Sequence, residues 1–467
     1  MRFIGVSENY HDAALSVIED GEVVFASHSE RYSKKKNDKI IHPNLWERGA
    51  PDLSTLGWNG NHLLDTPVHM SFYEQAPERG ANHPRYNFKF NHHKSHCATA
   101  FYTRPWEDRD STVMVSIDGV GEDQCAVILD NQFNLIKEWR WPKSVGLVYT
   151  VCTTQLGLRP LEDEYVVMGL SSYAKAPDEI VTWLVKWWEN NPNNDDFTEL
   201  KHMMRKWCEE FDDAEVASGV QAFAEYGIMQ VMNEARKYGS KLVYGGGCAQ
   251  NVVINSLLWD VFDDVHISVS PTDAGSSLGC AGYAYEQKTG TDRLIWTPYC
   301  GHEIKKEINP KDVVEHLLSK KVCGIANGKA EFGPRALGNR SLIADVRYDV
   351  KDTVNTIKRR QKYRPFAPAI LEEYVDEYFD GVTNEYMQYT CKAKHDHASV
   401  THVDGTARVQ VVKKDCQSIF RKVIEEYYEK TGVPMLLNTS LNIRGRPMVN
   451  DEHDAHLWEQ KYEVKVF

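Results

Sequence analysis

The chain has 467 residues, of which 42% are hydrophobic and 26% charged, and its formal net charge is −13. This length predicts two or three domains with their own cores, and the composition excludes a largely disordered chain. The acidic balance disfavours broad nucleic-acid binding, because most of the surface would repel phosphates.

The apolar runs and the cysteines predict a cytoplasmic protein. No run approaches the roughly 18–20 uninterrupted apolar residues that span a bilayer, and the first residues lack the long apolar region of a signal peptide. The ten cysteines form no CxxC pair, which is typical of reduced thiols and argues against a cysteine-type zinc site. We therefore expect no membrane partner.

Two similar strand patterns predict a duplicated α/β core. In each, a strand is followed by a hairpin of two further strands, and the hairpin turns are Asp20-Gly21 and Asp130-Asn131. Actin-like folds that hydrolyse nucleotides are built from two such halves, which is an argument by fold analogy. The predicted strands cover residues 3–6, 13–18 and 22–27, then 112–117, 124–129 and 133–139.

Periodicity further along the chain predicts alternating helices and strands, with a domain boundary near residue 298. Helices are expected at 179–189, 213–238, 276–288, 311–320 and 415–431, strands at 241–244 and 322–325, and a polar loop at 190–196. The segment 296–302 interrupts this pattern. We therefore expect a first domain at 1–298 and a smaller, mixed α/β domain at 299–467.

Two histidines four residues apart, His92 and His96, indicate a metal site. On a helix both imidazoles would lie on one face. Asp118 and Asp273 stand at predicted strand ends, where α/β folds place ligands. Two imidazoles with two carboxylates suit Fe(II), Mn(II) or Zn(II). The alternative is a pair of core or capping histidines.

A glycine turn, Gly245–Gly247, separates a strand from a helix and is followed by Asn251. Such a turn can present backbone N–H groups to a phosphate, so Gly246, Gly247 and Asn251 are candidate nucleotide contacts. The turn lacks the Lys-Ser/Thr pair of a P-loop. A tight chain crossover is the equally weighted alternative.

The stretch Gly333–Arg364 carries nine cationic residues, although the net charge of the whole chain is negative. Arginine grips phosphate or carboxylate oxygens at two points, and glycines let backbone N–H groups approach an anion. The stretch therefore predicts an anion site, with a solvated basic face as the alternative. Two polar turns add Arg408 and Arg444 as cations that could hold negative charge.

Several motifs in this order resemble the O-carbamoyltransferase family that modifies nodulation factors, aminoglycosides and cephamycins. The resemblance covers nearly the whole chain. It rests on the segments 10–14, 30–36, 92–102, 118–122, 164–170, 245–251 and 273–279, together with the basic stretch and the turns at 401–410 and 437–445.

The resemblance implies a fold and a reaction. An actin-like (ASKHA-type) N-terminal domain would be followed by a YrdC-like domain. The latter would form carbamoyladenylate from carbamoyl phosphate and ATP, a co-substrate that we expect to bind with Mg. The N-terminal metal site would then transfer the carbamoyl group to a substrate hydroxyl and release AMP.

The resemblance also implies roles for individual residues. His92, His96, Asp118 and Asp273 match the family's metal ligands, with iron as the favoured metal. His11 is the candidate acid/base, beside Asp12. The predicted contacts of carbamoyl phosphate and ATP are Arg335, Arg340, Lys358, Arg364, Asn438 and Ser440. Either Arg359 or Arg360 could take the role of Lys358.

Two other functions remain as alternatives at this stage: threonylcarbamoyl transfer to tRNA, and a non-catalytic nucleotide-binding module. The expected acceptor is a small molecule with a hydroxyl group, and a modified nucleotide is one possible class. Aromatic segments at 58–62 and 72–86 are candidates for the acceptor rim, with loop core as the alternative. A homo-oligomer is expected on base rates.

Overall fold

The computed structural model describes residues 1–8, 11–49, 68–73 and 88–467. The predicted acceptor rim at 58–62 and 72–86 lies outside the described residues, apart from the strand backbone at 72–73. Among the helices of the described ranges, none combines the length and apolar character that a membrane crossing requires. All ten cysteines are free thiols, as predicted.

The first sheet consists of a hairpin-connected meander extended by two parallel strands. Its strand order is β3-β2-β1-β4-β5, with β1 antiparallel to β2 and parallel to β4. The strands are β1 (Arg2–Ser7), β2 (Ala14–Glu19), β3 (Glu22–His28), β4 (Val68–Tyr73) and β5 (Phe88–Lys89).

The second sheet repeats this arrangement. Its order is β10-β9-β6-β7-β8, so the first strand of the set again lies between its hairpin partner and a parallel neighbour. The prediction of a duplicated α/β core is therefore confirmed. The strands are β6 (Thr112–Gly121), β7 (Gln124–Leu129), β8 (Leu135–Arg140), β9 (Lys241–Gly245) and β10 (Asp264–Ile267).

Ten helices accompany the two sheets in the described residues. They are α1 (Glu30–Ser33), α2 (Pro43–Gly49), α3 (His92–Tyr102), α4 (Val145–Gln155), α5 (Glu164–Leu170), α6 (Asp178–Glu189), α7 (Asn194–Glu210), α8 (Asp213–Ala235), α9 (Val252–Leu257) and α10 (Asp273–Thr289). The prediction of a loop through residue 196 was wrong, because Asn193 and Asp196 form a capping box that begins α7 at Asn194.

Helices α3 and α10 pack against each other between the two sheets, α10 on the first sheet and α3 on the second. Their close approach depends on Gly279, where a Cβ atom would lie 2.2 Å from the carbonyl oxygen of Ser95. Phe101, Met114 and Leu278 are fully or almost fully buried in the core around this contact. This packing holds the start of α3 beside the start of α10, and both helices begin with predicted metal ligands.

The C-terminal unit, from β11 onward, is a mixed α/β structure. Its main sheet has the order β12-β14-β20-β15-β19 and is antiparallel except for the pair β15/β19. Its strands are β11 (Tyr299–Ile304), β12 (Val322–Ala326), β13 (Gly328–Glu331), β14 (Arg340–Ala344), β15 (Ala367–Leu371), β16 (Phe379–Asp380), β17 (Cys391–Ala393), β18 (Thr406–Ala407), β19 (Gln410–Val412) and β20 (Met435–Ser440).

Five helices belong to this unit in the described residues. Helices α11 and α14 pack side by side on the main sheet, and the apolar cluster between them and the sheet includes Val313, Leu317 and Phe420. The helices are α11 (Pro310–Lys320), α12 (Lys351–Ile357), α13 (Val375–Tyr378), α14 (Ile419–Thr431) and α15 (Glu452–Tyr462). Between α10 and β11 lies the segment in which we predict the domain boundary.

The C-terminal unit packs directly on the N-terminal unit, which comprises the elements up to α10. Arg31, 2% exposed, points its guanidinium at the carbonyl oxygens of Glu331 and Val449, each 3.5 Å away. Tyr173 donates a hydrogen bond of 2.9 Å to the carbonyl of Tyr363. These contacts enclose a cavity between the two units.

Candidate active site

A single cavity of about 490 Å³ is lined by residues of both units. At one end lie histidine and aspartate side chains of the N-terminal unit, and at the other lie cations of the C-terminal unit. The lining includes His11, Asp12, Asp118, Gly247, Asn251, Asp273, Arg335, Lys358, Arg360, Arg364, Arg408, Asn438 and Ser440.

The four predicted metal ligands come together at the N-terminal end. Helix α3 begins at His92 because the Asn91 side chain caps it, accepting a hydrogen bond of 3.2 Å from the Lys94 amide. The rings of His92 and His96 then lie one turn apart on the same face, with centroids 4.6 Å apart. One ligand atom from each of the four residues lies within 4.8 Å of all the others.

The distances within this cluster leave room for a cation between the side chains. His96 Nε2 lies 3.4 Å from Asp118 Oδ2 and 3.2 Å from Asp273 Oδ1. The nitrogen is buried, yet no group of the described residues meets it in hydrogen-bond geometry. A buried polar atom normally has a partner, because its desolvation is costly. The two imidazoles and two carboxylates therefore fit a divalent metal ion.

The two carboxylates are held in their charged form. Burial by itself would raise the pKa of Asp118, but His92 and His96 lower it well below its usual range. Burial likewise opposes ionisation of Asp273, and there His11 and His96 lower the pKa. Ionised carboxylates are the form that binds a metal.

The third histidine of the motif, His93, is not part of this site. Its Nδ1 lies 2.8 Å from the Ser116 hydroxyl and its Nε2 lies 2.9 Å from the Gln124 carbonyl oxygen. Burial lowers the pKa of His93 to about 3. It is a neutral structural histidine, as expected for a residue one position away from the ligand face of α3.

His11 and Asp12 adjoin the metal cluster. His11 Nδ1 lies 3.0 Å from Asp12 Oδ2, and Nε2 lies 3.4 Å from Asp273 Oδ2. Burial would lower the pKa of His11, but the charges of Asp273 and Asp12 outweigh it and raise the pKa to about 10. Asp12 adopts a left-handed backbone conformation, with φ +54°. This geometry places His11 at the cavity wall beside the predicted ligands.

The glycine turn mainly supports the metal cluster and the chain crossover. The Gly247 amide donates a hydrogen bond of 2.8 Å to Asp118 Oδ2. The Gly246 amide donates to the Pro271 carbonyl at 2.9 Å, with φ +91°. Gly246 is absent from the cavity lining. The structure therefore corrects the prediction for Gly246, whose amide already bonds to Pro271.

Asn251, the third candidate of this loop, lines the cavity but is also engaged with its neighbours. Its side chain accepts a hydrogen bond of 3.2 Å from the Ile254 amide, which caps α9. Its amide group donates to Gln221 at 2.9 Å. A nucleotide contact by Gly247 and Asn251 remains a prediction.

The C-terminal end of the cavity is strongly cationic. Within the described ranges, none of Arg335, Lys358, Arg360, Arg364 and Arg408 forms a salt bridge with a carboxylate. Burial, joined by the charge of Arg364, lowers the pKa of Arg335 to about 10. Burial and three neighbouring arginines lower the pKa of Arg408 well below its usual range. Such an uncompensated cluster favours the binding of an anion with several charges.

Lys358 takes part in this site by organising the end of β20. Its ammonium donates to the carbonyl and hydroxyl of Ser440 and to the carbonyl and side-chain oxygens of Asn442. Arg360 also lines the cavity, whereas Arg359 does not; its guanidinium lies 5.5 Å from the ring centroid of Tyr462. Of the three cations left open by the sequence, Lys358 and Arg360 therefore face the cavity.

Asn438 and Ser440 both line the cavity, as the resemblance implied. Asn438 Nδ2 donates to the Ala336 carbonyl at 3.0 Å and to Gln410 Oε1 at 2.6 Å. Its side-chain oxygen is buried and has no hydrogen-bond partner among the described groups. Asn438 therefore ties β20 to the loop that carries Arg335.

The assignment of Arg340 to the anion site was wrong. Arg340 is fully buried and does not line the cavity. A guanidinium has five N–H donors, and here these donors are taken up by backbone carbonyls of the protein itself. The accepting carbonyls belong to His302, Asn327, Gly328, Asn339 and Asn450.

The glycine-containing loop before Arg340 is likewise bound internally. Glu331 Oε1 accepts hydrogen bonds from the amides of Leu337, Asn339 and Arg340 at 2.7, 2.8 and 3.2 Å. The carboxylate of Glu331 occupies these three amides and fixes the loop. The part of the loop that lines the cavity is its beginning, at Gly333, Arg335 and Ala336.

Tyr165 is among the cavity residues that sequence reasoning did not assign to the site. Tyr165 lines the cavity, and the guanidinium of Arg364 lies 4.4 Å from its ring centroid. Its segment, Glu164–Leu170, contributed only to the family resemblance. Nothing in its spacing indicated a contact with Arg364, because the two residues come from different units.

Comparisons with known proteins agree with the resemblance. A family model described as carbamoyltransferase N-terminus matches residues 81–282, and one described as carbamoyltransferase C-terminus matches residues 314–467. The nodulation protein NolO of Bradyrhizobium diazoefficiens is 30% identical over 78% of this chain and 75% of its own length.

Two further relatives align over almost their full length. The 3'-hydroxymethylcephem-O-carbamoyltransferase of Amycolatopsis lactamdurans is 26% identical over 96% of this chain and 94% of its own length. The protein MJ1051 of Methanocaldococcus jannaschii is 29% identical over 95% of this chain and 94% of its own length. The cavity and its two ends thus lie in a chain that is similar to carbamoyltransferases throughout.

Proposed function

Because this chain belongs to the carbamoyltransferase family, we propose that it transfers a carbamoyl group to the hydroxyl of a small molecule in two linked half-reactions. The name of its Amycolatopsis relative specifies an O-carbamoyl transfer and contains a hydroxymethyl group. That name supports a hydroxyl-bearing acceptor for this chain too.

The proposal extends to the folds of the two units. We infer an actin-like, ASKHA-type N-terminal unit, which the repeated strand order of its two sheets supports. We infer a YrdC-like C-terminal unit, which its mixed five-stranded sheet is compatible with. In this arrangement the nucleotide-dependent step and the transfer step each have their own unit.

The first half-reaction is assigned to the cationic end of the cavity. Carbamoyl phosphate and ATP bring several negative charges, and Arg335, Arg360, Arg364 and Arg408 form no salt bridge with any carboxylate of the described residues. One water is consumed, phosphate leaves the carbamoyl group, the carbamate oxygen bonds to the α-phosphorus of ATP, and pyrophosphate leaves. The product is carbamoyladenylate, whose leaving group is AMP.

The second half-reaction is assigned to the end of the cavity that contains His11. His92, His96, Asp118 and Asp273 would hold the metal ion, which when bound supplies a Lewis acid for the carbonyl and the attacking hydroxyl. Asp12 orients the His11 imidazole through Nδ1. We propose His11 as the acid/base: the charged imidazole that its raised pKa favours would donate a proton to the leaving AMP oxygen as the C–O bond breaks, and the neutral imidazole would then accept the proton of the hydroxyl.

The observation that carries this proposal is that both ends belong to one cavity of about 490 Å³. A mixed anhydride of carbamate and AMP would be hydrolysed in bulk water. A shared cavity allows the intermediate to reach the second site along the protein rather than through bulk water. Two unconnected sites would not offer this protection.

The testing experiment measures pyrophosphate and AMP release from ATP by metal-replete protein without an acceptor. We expect pyrophosphate release that depends on carbamoyl phosphate, followed by AMP and a carbamoylated product once a suitable hydroxyl compound is added. Release that is the same with and without carbamoyl phosphate would refute the activation step. Carbamoyl transfer without ATP would refute the adenylate intermediate.

A further inference from the structure

A short segment of the N-terminal unit reaches the cationic end of the cavity. Asp163, whose side chain is fully buried, accepts a hydrogen bond of 2.7 Å from Arg444 Nη2 of the C-terminal unit. The amide of Arg159 donates to the same oxygen at 3.2 Å. Arg444 in turn bonds through its amide to the Lys358 carbonyl at 3.0 Å. This bridge fixes the start of α5 relative to the anion-binding loops.

Tyr165, two residues after Asp163, therefore lies among the arginines of the other unit. The guanidinium of Arg364 stacks on its ring, 4.4 Å from the centroid. Burial lowers the pKa of both Arg335 and Arg360, and the nearby phenol of Tyr165 opposes that lowering in each case. A cation on an aromatic face is a favourable contact, so the ring is held in place before any ligand arrives.

Tyr165 is also more exposed to solvent than the other tyrosine and phenylalanine rings that line the described cavity. Of the tyrosine and phenylalanine rings that line the described cavity, Tyr149 and Phe366 are buried, at 8% and 4% exposure. Tyr149 is tied to Gln221 by a hydrogen bond, and Phe366 lies under Arg360. Tyr165 keeps 39% of its surface exposed. Arg364 covers part of the ring, and the exposed part is available to a flat ligand.

A nucleotide needs both of the features that meet here. Its phosphates need cations, and its base needs an aromatic or guanidinium plane on which to stack. The arginines of the C-terminal unit supply the first requirement. The exposed ring beside them supplies the second.

We propose that the ATP site is shared between the units: Tyr165 of the N-terminal unit stacks on the base of ATP, while the C-terminal arginines hold the phosphates. Asp163 is a positioning residue, which acts on Tyr165 through its bond to Arg444. The inference rests on the proposed function, because it names the residue that recognises the nucleotide in the activating half-reaction. It follows that the C-terminal unit alone lacks part of its own nucleotide site.

The test compares kinetic constants of pyrophosphate release for the full chain, loaded with metal and without acceptor. Tyr165→Ala should raise the KM for ATP roughly tenfold or more, as expected for the loss of one stacked base, and should leave the KM for carbamoyl phosphate unchanged. Tyr165→Phe keeps the ring and should behave as the wild type. Bound metal should be the same in all variants.

Tyr173→Ala provides the matched control. Tyr173 is 40% exposed and also connects the two units, through the Tyr363 carbonyl and the ring of His402, but it does not line the cavity. Its loss should leave the KM for ATP unchanged. Two results would overturn the proposal: a KM for ATP that rises equally in Tyr173→Ala, or a Tyr165→Ala variant whose KM rises equally for ATP and carbamoyl phosphate. Either result would indicate a general effect on the contact between the units.

A second measurement separates this proposal from the function on which it rests. If the wild type releases no pyrophosphate, the activation step fails, yet calorimetric binding of ATP and of inorganic tripolyphosphate still tests Tyr165. Tyr165→Ala must weaken ATP binding and leave tripolyphosphate binding intact, because tripolyphosphate has no base. Equal effects on both ligands, no effect on either, or no ATP binding by the wild type would refute the stacking role.

Discussion

Replacing Arg335 by methionine should stabilise the fold and abolish the activating half-reaction. The Arg335 side chain is half-buried at the cavity and, in the described part of the chain, has neither a salt bridge nor a side-chain hydrogen bond. Methionine has a similar length and no charge. The substitution therefore removes an unfavourable charge from the free protein and, at the same time, a cation that the bound anion needs.

The size of the stabilisation follows from the electrostatics of the site. Burial and Arg364 lower the pKa of Arg335 from its ordinary value to about 10, and a pKa change of this size corresponds to roughly 3 kcal/mol. Because the side chain is partly exposed to solvent, screening reduces the effect, and about 1–2 kcal/mol is expected. A lowered pKa of a base disfavours its charged form in the fold, so this penalty is present at every pH below about 10.

The assay compares thermal unfolding of Arg335→Met with that of the matched variant Arg340→Met. Both arginines have a pKa lowered to about 10, mainly by burial. The donors of Arg340 are bonded to carbonyls, so its removal leaves buried acceptors unpaired and should cost about 3–5 kcal/mol. We expect a Tm above that of the wild type for Arg335→Met and well below it for Arg340→Met.

Two further readouts complete this comparison. Arg335→Met should release no pyrophosphate with carbamoyl phosphate and ATP, while its bound metal is unchanged. Inorganic phosphate or pyrophosphate should raise the Tm of the wild type more than that of the variant, because a ligand stabilises only the form that binds it. A loss of stability in Arg335→Met comparable to that in Arg340→Met would refute the view that Arg335 is held uncompensated for a ligand.

Three other substitutions test the two ends of the cavity separately. His96→Ala should lower the metal content measured by elemental analysis but spare pyrophosphate release, and an unchanged metal content would remove His96 from the ligand set. Arg364→Ala should abolish pyrophosphate release with metal content intact, whereas a joint loss of both would indicate misfolding. Gly121→Ala would place a Cβ atom 1.9 Å from His92 Cδ2 and displace the imidazole. Metal affinity, measured by equilibrium titration, should fall about 10–100-fold, as for other changes to groups that orient metal ligands. Wild-type affinity in this variant would contradict the assignment of His92 as a ligand.

Much of the local structure could be predicted from the sequence. The strand pair at 14–19 and 22–28 follows from two short apolar runs on either side of Asp20-Gly21, and the pair at 124–129 and 135–140 follows from the runs around Asp130-Asn131. The spacing of His92 and His96 implied a shared helix face, which α3 provides. These features depend on residues close together in the chain, where periodicity and turn chemistry act directly.

The failures have a common physical origin. Arg340 belongs to the same basic stretch as Arg335, and composition does not distinguish them. Carbonyls from residues as far away as Asn450 take up the Arg340 donors, while no hydrogen-bond acceptor among the described residues takes up those of the Arg335 side chain. Likewise, the amides of this glycine-containing loop were candidates for holding an anion, and three of them, at Leu337, Asn339 and Arg340, bond to Glu331 instead. Each outcome depends on which distant partner folding brings near.

The sequence by itself therefore determined many of the elements, the duplicated core, the family and most of the residue types of the two sites. The tertiary structure decided which cations keep their charge uncompensated, and it brought Tyr165 of one unit onto Arg364 of the other. It also joined the two sites in one cavity, because the units pack across Arg31, Tyr173 and Asp163. Short-range preferences specify helices and strands, but the use of a charged side chain depends on burial and on partners that only long-range packing supplies.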